Sequence, residues 1–177
     1  MIDLRKKGLP DTVTVGGSPF KIKTDFRVWI EFWKKIQSPH CTLADITFVF
    51  DGAVPRMNFY NEVCAFFQNP NLTPKATDDS GEILIDYVED GEYIYASFLA
   101  EYNIDLVDIK NLHWHKFKAL LSSLSDNSKI KQIIRMRGYT KSNEKVEHQY
   151  ERLKQMWRLP QPEDAEHQAM LDEFNSL

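Results

Sequence analysis

No stretch of this 177-residue chain approaches the roughly 18 consecutive apolar residues that a membrane-spanning helix needs. The charged opening from Met1 to Lys7 is followed by no apolar segment, so no signal peptide is expected. Cysteine is scarce: Cys41 and Cys64 are the only two, and without an export signal they read as free thiols rather than a disulfide framework. Glycine is sparse as well. Gly16-Gly17-Ser18-Pro19 has neither the glycine spacing nor the Lys-Ser/Thr of a phosphate loop. Gly-x-Ser-x-Gly is missing, and neither cysteine has a histidine in a recognisable catalytic context. A non-enzymatic protein without catalytic residues, metal or cofactor is the expectation.

What is present is a large apolar payload. Hydrophobic residues make up 42% of the chain and aromatics 12%, which argues for a folded core rather than disorder. The length suits one domain with an appended tail. The net charge of −4 conceals segmentation: residues 1–41 carry +4, residues 42–108 carry −11, residues 109–158 carry +8 and residues 159–177 carry −5. Blocks of this size neutralise each other within a fold or between subunits, a hint of self-association.

The densest patterning lies between Asp86 and Gly138. Tyr87, Gly91, Ile94, Tyr95, Phe98 and Tyr102 share one face of a first helix, and Trp114, Phe117, Leu121 and Leu124 share one face of a second. With only a short connector between them, Asn103–Lys110, the two faces should pack as a helical hairpin. Asp86 with Glu89 three residues on resembles a capping box for the first helix, and Asn111 can cap the second. Gly91, on the apolar stripe, is expected to admit a close neighbouring helix. A third helix begins at Asp126 or Ser128 and ends at Gly138, with Ile130, Ile133 and Ile134 inward and Lys129, Lys131, Arg135 and Arg137 outward.

Before this stretch, Thr12–Val15 and Phe20–Lys23 alternate about Gly16-Gly17 and predict a β-hairpin. Its residues Val13, Val15, Phe20 and Ile22 either form a subunit contact at an exposed edge or cover their own domain. Thr24 or Asp25 caps a helix reaching about Gln37, with Phe26, Trp29, Ile30, Trp33 and Ile36 as its apolar stripe. Leu43–Phe50 is an apolar run that fits helix or strand and is read as helix because helices flank it; Asp51-Gly52 closes it, and a further helix runs from about Met57 to Phe67. Residues 68–81 form a polar loop with two prolines. From Ser142 the character changes: Val146, Tyr150, Leu153 and Trp157 form a narrow stripe on a charged helix, which docks on a partner or on its own domain edge. Ala165, Ala169, Met170 and Phe174 hint at a short terminal helix. The expected fold is mainly α. It comprises a compact helical domain over residues 1–141 with a small N-terminal β-hairpin, and a charged, protruding C-terminal helical tail over 142–177. Trp29, Trp33, Tyr95, Phe98, Tyr102, Trp114, Phe117 and Leu121 are its expected core.

Constellations that would announce chemistry are weak. His113 and His115, two residues apart on a helix, point about 200° apart and cannot share a metal ion, whereas zinc helices use i, i+4 pairs. Asp86, Glu89, Asp90 and Glu92 lack the spacing and turn glycine of a calcium loop and read as a helix start complementing the dipole. The basic run Lys129, Lys131, Arg135, Arg137 and Lys141 is an electrostatic face of the kind that contacts nucleic acid, but the chain is acidic overall and no helix-turn-helix precedes it. An intersubunit or solvated face is the preferred reading.

The organising stretch resembles the bacteriophage gene-product-fifteen family of phages and prophages of Gram-positive bacteria. The resemblance rests on Asp86-Tyr87, Asp90, Ile94-Tyr95-Ala96 with Phe98, Tyr102 with Ile104-Asp105-Leu106, and Leu112-His113-Trp114 with Phe117 and Leu120-Leu121. Ile133, Ile134 and Arg137 extend it. It spans residues 83–138, is weaker over 25–68, and covers nothing beyond Lys141. The resemblance implies a tail-assembly chaperone of long-tailed phages that self-associates and coats the helical tape-measure protein in the host cytoplasm. Such a protein is expected to be absent from the finished virion, with neither membrane nor nucleic acid as partner. A structural tail or connector subunit retained in the particle is the main alternative, and a nucleic-acid-binding regulator the third. On this reading Trp157→Ala with Tyr150→Ala weakens assembly or client binding and leaves the fold intact.

Overall fold

A computed structural model describes residues 4–68, 83–139 and 147–160. Two strands, β1 (Thr12–Val15) and β2 (Ser18–Lys21), form an antiparallel hairpin in which Val13 faces Phe20 and Val15 faces Ser18. Gly16 and Gly17 turn it with φ of 56° and 81°, a region open to glycine at little cost. The helices are α1 (Phe26–Ile36), a 3-10 turn over Ala44–Val49, α2 (Tyr60–Gln68), α3 (Gly91–Tyr102), α4 (Trp114–Ser123), α5 (Lys129–Arg137) and α6 (Glu147–Met156). The fold is mainly α with a small N-terminal hairpin, as the sequence pattern predicts. The apolar run Leu43–Phe50 becomes 3-10 rather than α, and Phe50 leaves it in extended backbone to bridge Ile22 beside the hairpin.

Helix starts follow the local chemistry. Asp25 caps α1 by accepting a hydrogen bond from the Arg27 amide at 3.0 Å, and its other oxygen accepts from the Leu112 amide at 3.2 Å. Thr24, Asp25 and Phe26 pair with the Leu112–Trp114 backbone, so the N-termini of α1 and α4 are joined. Ser128 caps α5 through the Lys131 amide. At α4 the cap is His113 rather than Asn111. Its Nδ1 accepts from the His115 amide at 3.0 Å, and its Nε2 lies 3.0 Å from the Pro10 carbonyl, which assigns the neutral Nε2–H tautomer.

The start of α3 also differs from expectation. A turn over residues 87–90 precedes the helix, and Asp86 Oδ1 accepts from the Val88 and Glu89 amides. The return bond to the Asp86 amide comes from Asp90 Oδ2 at 3.0 Å rather than from Glu89. Gly91 admits no close neighbour: a Cβ built there meets no heavy atom within 4 Å.

One aromatic column forms the centre. Phe26, Phe98 and Trp114 stack on Phe117 at 4.9, 5.2 and 5.6 Å between ring centroids, and Phe67 stacks on Trp114 at 5.1 Å. Trp29 and Phe32 of α1 close it, both fully buried, and the Trp29 indole N–H donates to the Lys23 carbonyl at 2.8 Å. The α3–α4 hairpin forms as predicted, held by the Phe98–Phe117 stack and by the Tyr102 hydroxyl donating to the Leu120 carbonyl at 2.9 Å. Of the expected core, Trp29, Phe98, Trp114, Phe117 and Leu121 are buried, while Trp33, Tyr95 and Tyr102 are half-buried and packed against it.

Candidate interaction surfaces and the buried ionic junction

The hairpin turns its apolar side chains inward. Val13, Val15 and Ile22 are buried in the chain's own core and Phe20 packs against Phe50, so these four do not form an outward apolar contact. The reason is the alternation itself: the apolar face of a two-stranded ribbon is stable only when covered, and α2, which lies against β1, and Phe50, which packs on Phe20, cover it.

The basic stripe on α5 is dispersed among internal partners. Lys131 Nζ donates to the Ser122 carbonyl at 2.8 Å, Lys129 Nζ lies 4.3 Å from the centre of the Trp157 ring, and Arg135 approaches Asp126 at 3.6 Å. Arg137 does not face out. Its side chain is 8% exposed, and it pairs with Asp90, whose side chain is 1% exposed.

Five hydrogen bonds converge on that pair. Arg137 Nη1 and Nη2 donate to Asp90 Oδ2 and Oδ1 at 2.6 and 2.8 Å, Nη1 also reaches the Leu84 carbonyl at 3.1 Å, and Nε donates to the Trp157 carbonyl at 2.6 Å. One guanidinium thus ties the start of α3, the segment before it, the end of α5 and the end of α6. Its planar fork matches carboxylate geometry, which compensates the desolvation of both charges. Asp90 is occupied by this partner and by the Asp86 amide, so it gives no side-chain cap to the helix it precedes.

Trp157 packs edge-on to Tyr93 at 5.6 Å, Tyr139 stacks on Tyr150 at 4.7 Å, and Leu159 is buried. The stripe of α6 therefore lies on its own domain edge, one of the two options the sequence leaves open. Leu153 is half-buried, and Val146 lies outside the described residues, as do the 69–82 part of the polar loop, Lys141 and the terminal segment from residue 161.

A second polar cluster sits where α2 ends. The Trp114 indole N–H donates to the Phe67 carbonyl at 2.9 Å, and buried Lys118 donates to the same oxygen. His115 Nε2 lies 2.9 Å from the Phe66 carbonyl, and its ring stacks on Phe66. These donors satisfy carbonyls that the last turn of a helix leaves open. Burial pulls Lys118 down to about 7 and His115 down to about 4, and it also lowers His113. The two cysteines are free and half-buried, with burial raising the Cys64 thiol.

Helical phase places Lys118 and Arg137 on the inward side, against their charge. Lys118 stands four residues after Trp114 and three before Leu121, and Arg137 four after Ile133, so each occupies the apolar stripe. Charge argues for the surface, but in both cases a buried oxygen partner outweighs it.

Among the described residues, no group of three or more His, Cys, Asp or Glu is arranged to hold a metal ion, and no helix is long and apolar enough to cross a membrane. Curated proteins and solved structures yield no match. The chain matches the family described as Bacteriophage Gp15 protein over residues 56–159. The match takes in α2 to α6 and ends just beyond Trp157, so it extends further toward the C-terminus than the resemblance over 83–138. It includes Asp90, Arg137 and the helix they anchor. The chain belongs to the bacteriophage Gp15 family.

Proposed function

We propose that this phage protein is a non-enzymatic tail-assembly chaperone. It self-associates, binds the helical tape-measure protein in the host cytoplasm during tail morphogenesis, and leaves before the virion is complete. The observation that carries the reading is an apolar surface built on a rigid helical scaffold. Leu99 on α3 is 40% exposed, and Val107 in the turn after it is 73% exposed. Arg27 Nη2 donates to the carbonyls of Leu106, Val107 and Ile109 at 2.8, 3.2 and 2.9 Å, so the turn that presents Val107 is fixed before any partner arrives. Held apolar surface of this kind accepts a helical face at a lower ordering cost than a mobile loop would.

Engagement of the α5 cations by internal partners weakens the nucleic-acid alternative. The retained structural subunit is separated by mass spectrometry of infected cells against purified particles. Abundance in cells with absence from particles supports the chaperone. Stoichiometric presence in particles overturns it.

A further inference from the structure

The outer side of α3 is apolar and, among the described residues, left uncovered. Leu99, Ala96 and Ala100 are exposed with half-buried Tyr95 beside them, Val88 in the turn before the helix is 47% exposed, and Val107 adjoins them through the Tyr95 hydroxyl, which donates to Asp105 Oδ2 at 3.3 Å. Asp105 Oδ1 accepts from the Val107 and Asp108 amides and, with Arg27, fixes that turn. A helix with apolar residues on both sides has a second side to bury.

The rim of this surface is acidic. Glu89, Glu92 and Asp108 are exposed around it and outnumber the exposed cation Lys110, while Arg27, which holds the Val107 turn, is paired with Asp25. Two copies of such a face would repel, so a twofold contact of the face with itself is disfavoured and its complement must be basic. On α6, Met156 is 72% exposed and the cation Arg152, four residues earlier on the same side, is exposed with it. α6 is anchored from its other side by Trp157 and Tyr150, which leaves Arg152 and Met156 outward. The own-chain seat of α6 and the acidic face do not coincide, because Tyr93 and Leu99, six residues apart on α3, point about 120° apart.

We propose that copies of this chain associate head to tail, the acid-rimmed face of Leu99 and Val107 on one copy receiving the Arg152–Met156 side of α6 from the next. This rests on the self-association half of the proposed function and names its contact. Unlike surfaces meeting in this way build rings or open chains, an arrangement that presents many copies along an elongated client. Methionine suits the contact, since its flexible side chain adapts to an irregular apolar surface.

The test uses the full-length protein in analytical ultracentrifugation. One variant disables the receiving face (Leu99→Asp, with Val107→Asp as a second choice), and another disables the inserted side (Arg152→Glu with Met156→Glu). All of these positions are exposed, and circular dichroism checks that each variant keeps the wild-type fold. Wild type should form oligomers that loosen at high salt, each variant alone should sediment as a monomer, and a one-to-one mixture should form a dimer and stop there. Variants that assemble like wild type, or a mixture that stays monomeric, overturn the contact while leaving self-association intact. A monomeric wild type overturns both.

Discussion

Arg137 and Asp90 lie 47 residues apart in sequence and meet through two parallel hydrogen bonds of 2.6 and 2.8 Å in a buried site. The same guanidinium holds the Trp157 carbonyl, so the attachment of α6 depends on a pair formed by α5 and the start of α3. Asp90→Ala leaves a cation buried without its carboxylate, which should cost about 3–5 kcal/mol. Replacing both partners with apolar residues of similar volume should cost less than either single change. Urea unfolding of the two single variants and the double variant checks this.

Trp157→Ala with Tyr150→Ala, expected from the sequence to spare the fold, should instead loosen α6. The substitutions remove the Tyr93 and Tyr139 ring contacts and the cation–π seat of Lys129. The change at half-buried Trp157 should cost about 1–2 kcal/mol, and that at the more exposed Tyr150 about 1 kcal/mol or less. Limited proteolysis should cut near α6 sooner than in wild type, while near-ultraviolet dichroism of the Trp29–Trp114 core stays unchanged.

Acid should weaken the fold at α4. His113 uses Nδ1 as a hydrogen-bond acceptor, and burial lowers its pKa; His115 is held down at about 4 by burial. The unfolded chain binds protons on both at higher pH than the folded chain does. Their contribution is therefore complete above the ordinary histidine value of 6.5 and is lost as pH falls below it, for His115 toward about 4. His113→Ser keeps a capping oxygen without a titrating ring. Melting temperatures of this variant should fall less between pH 6.5 and 4.5 than those of wild type.

Lys118 works in the same sense at higher pH. With its folded value at about 7 and its ordinary value at 10.5, the unfolded state holds more protons between them, and stability should rise as pH goes from 7 to 10. Lys118→Met should flatten that rise. The Phe67 carbonyl keeps the Trp114 indole as a donor, so the variant should still fold at pH 7.

The sequence reveals most where apolar period and capping agree. Trp114, Phe117, Leu121 and Leu124 are all buried as their spacing requires, and the Gly16-Gly17 hairpin forms where alternation places it. The misses share a physical cause. Arg137 and Lys118 occupy apolar phases, and only the three-dimensional arrival of Asp90 and the Phe67 carbonyl makes their burial affordable. Phe32, three residues after Trp29, is fully buried although it lies outside the predicted α1 stripe, while Trp33 beside it, which the stripe includes, is half-buried. The partner surfaces were the least legible, since a hairpin edge and a sparse stripe look alike whether they cover their own domain or another chain.

The most direct measurement is co-expression of the full-length protein with the tape-measure protein, scoring how much of that long helical client stays soluble and co-purifies. A client that is insoluble alone, becomes soluble with this protein and is recovered in complex with it is the expected result. A client that stays insoluble, or is soluble without binding, would contradict the chaperone function.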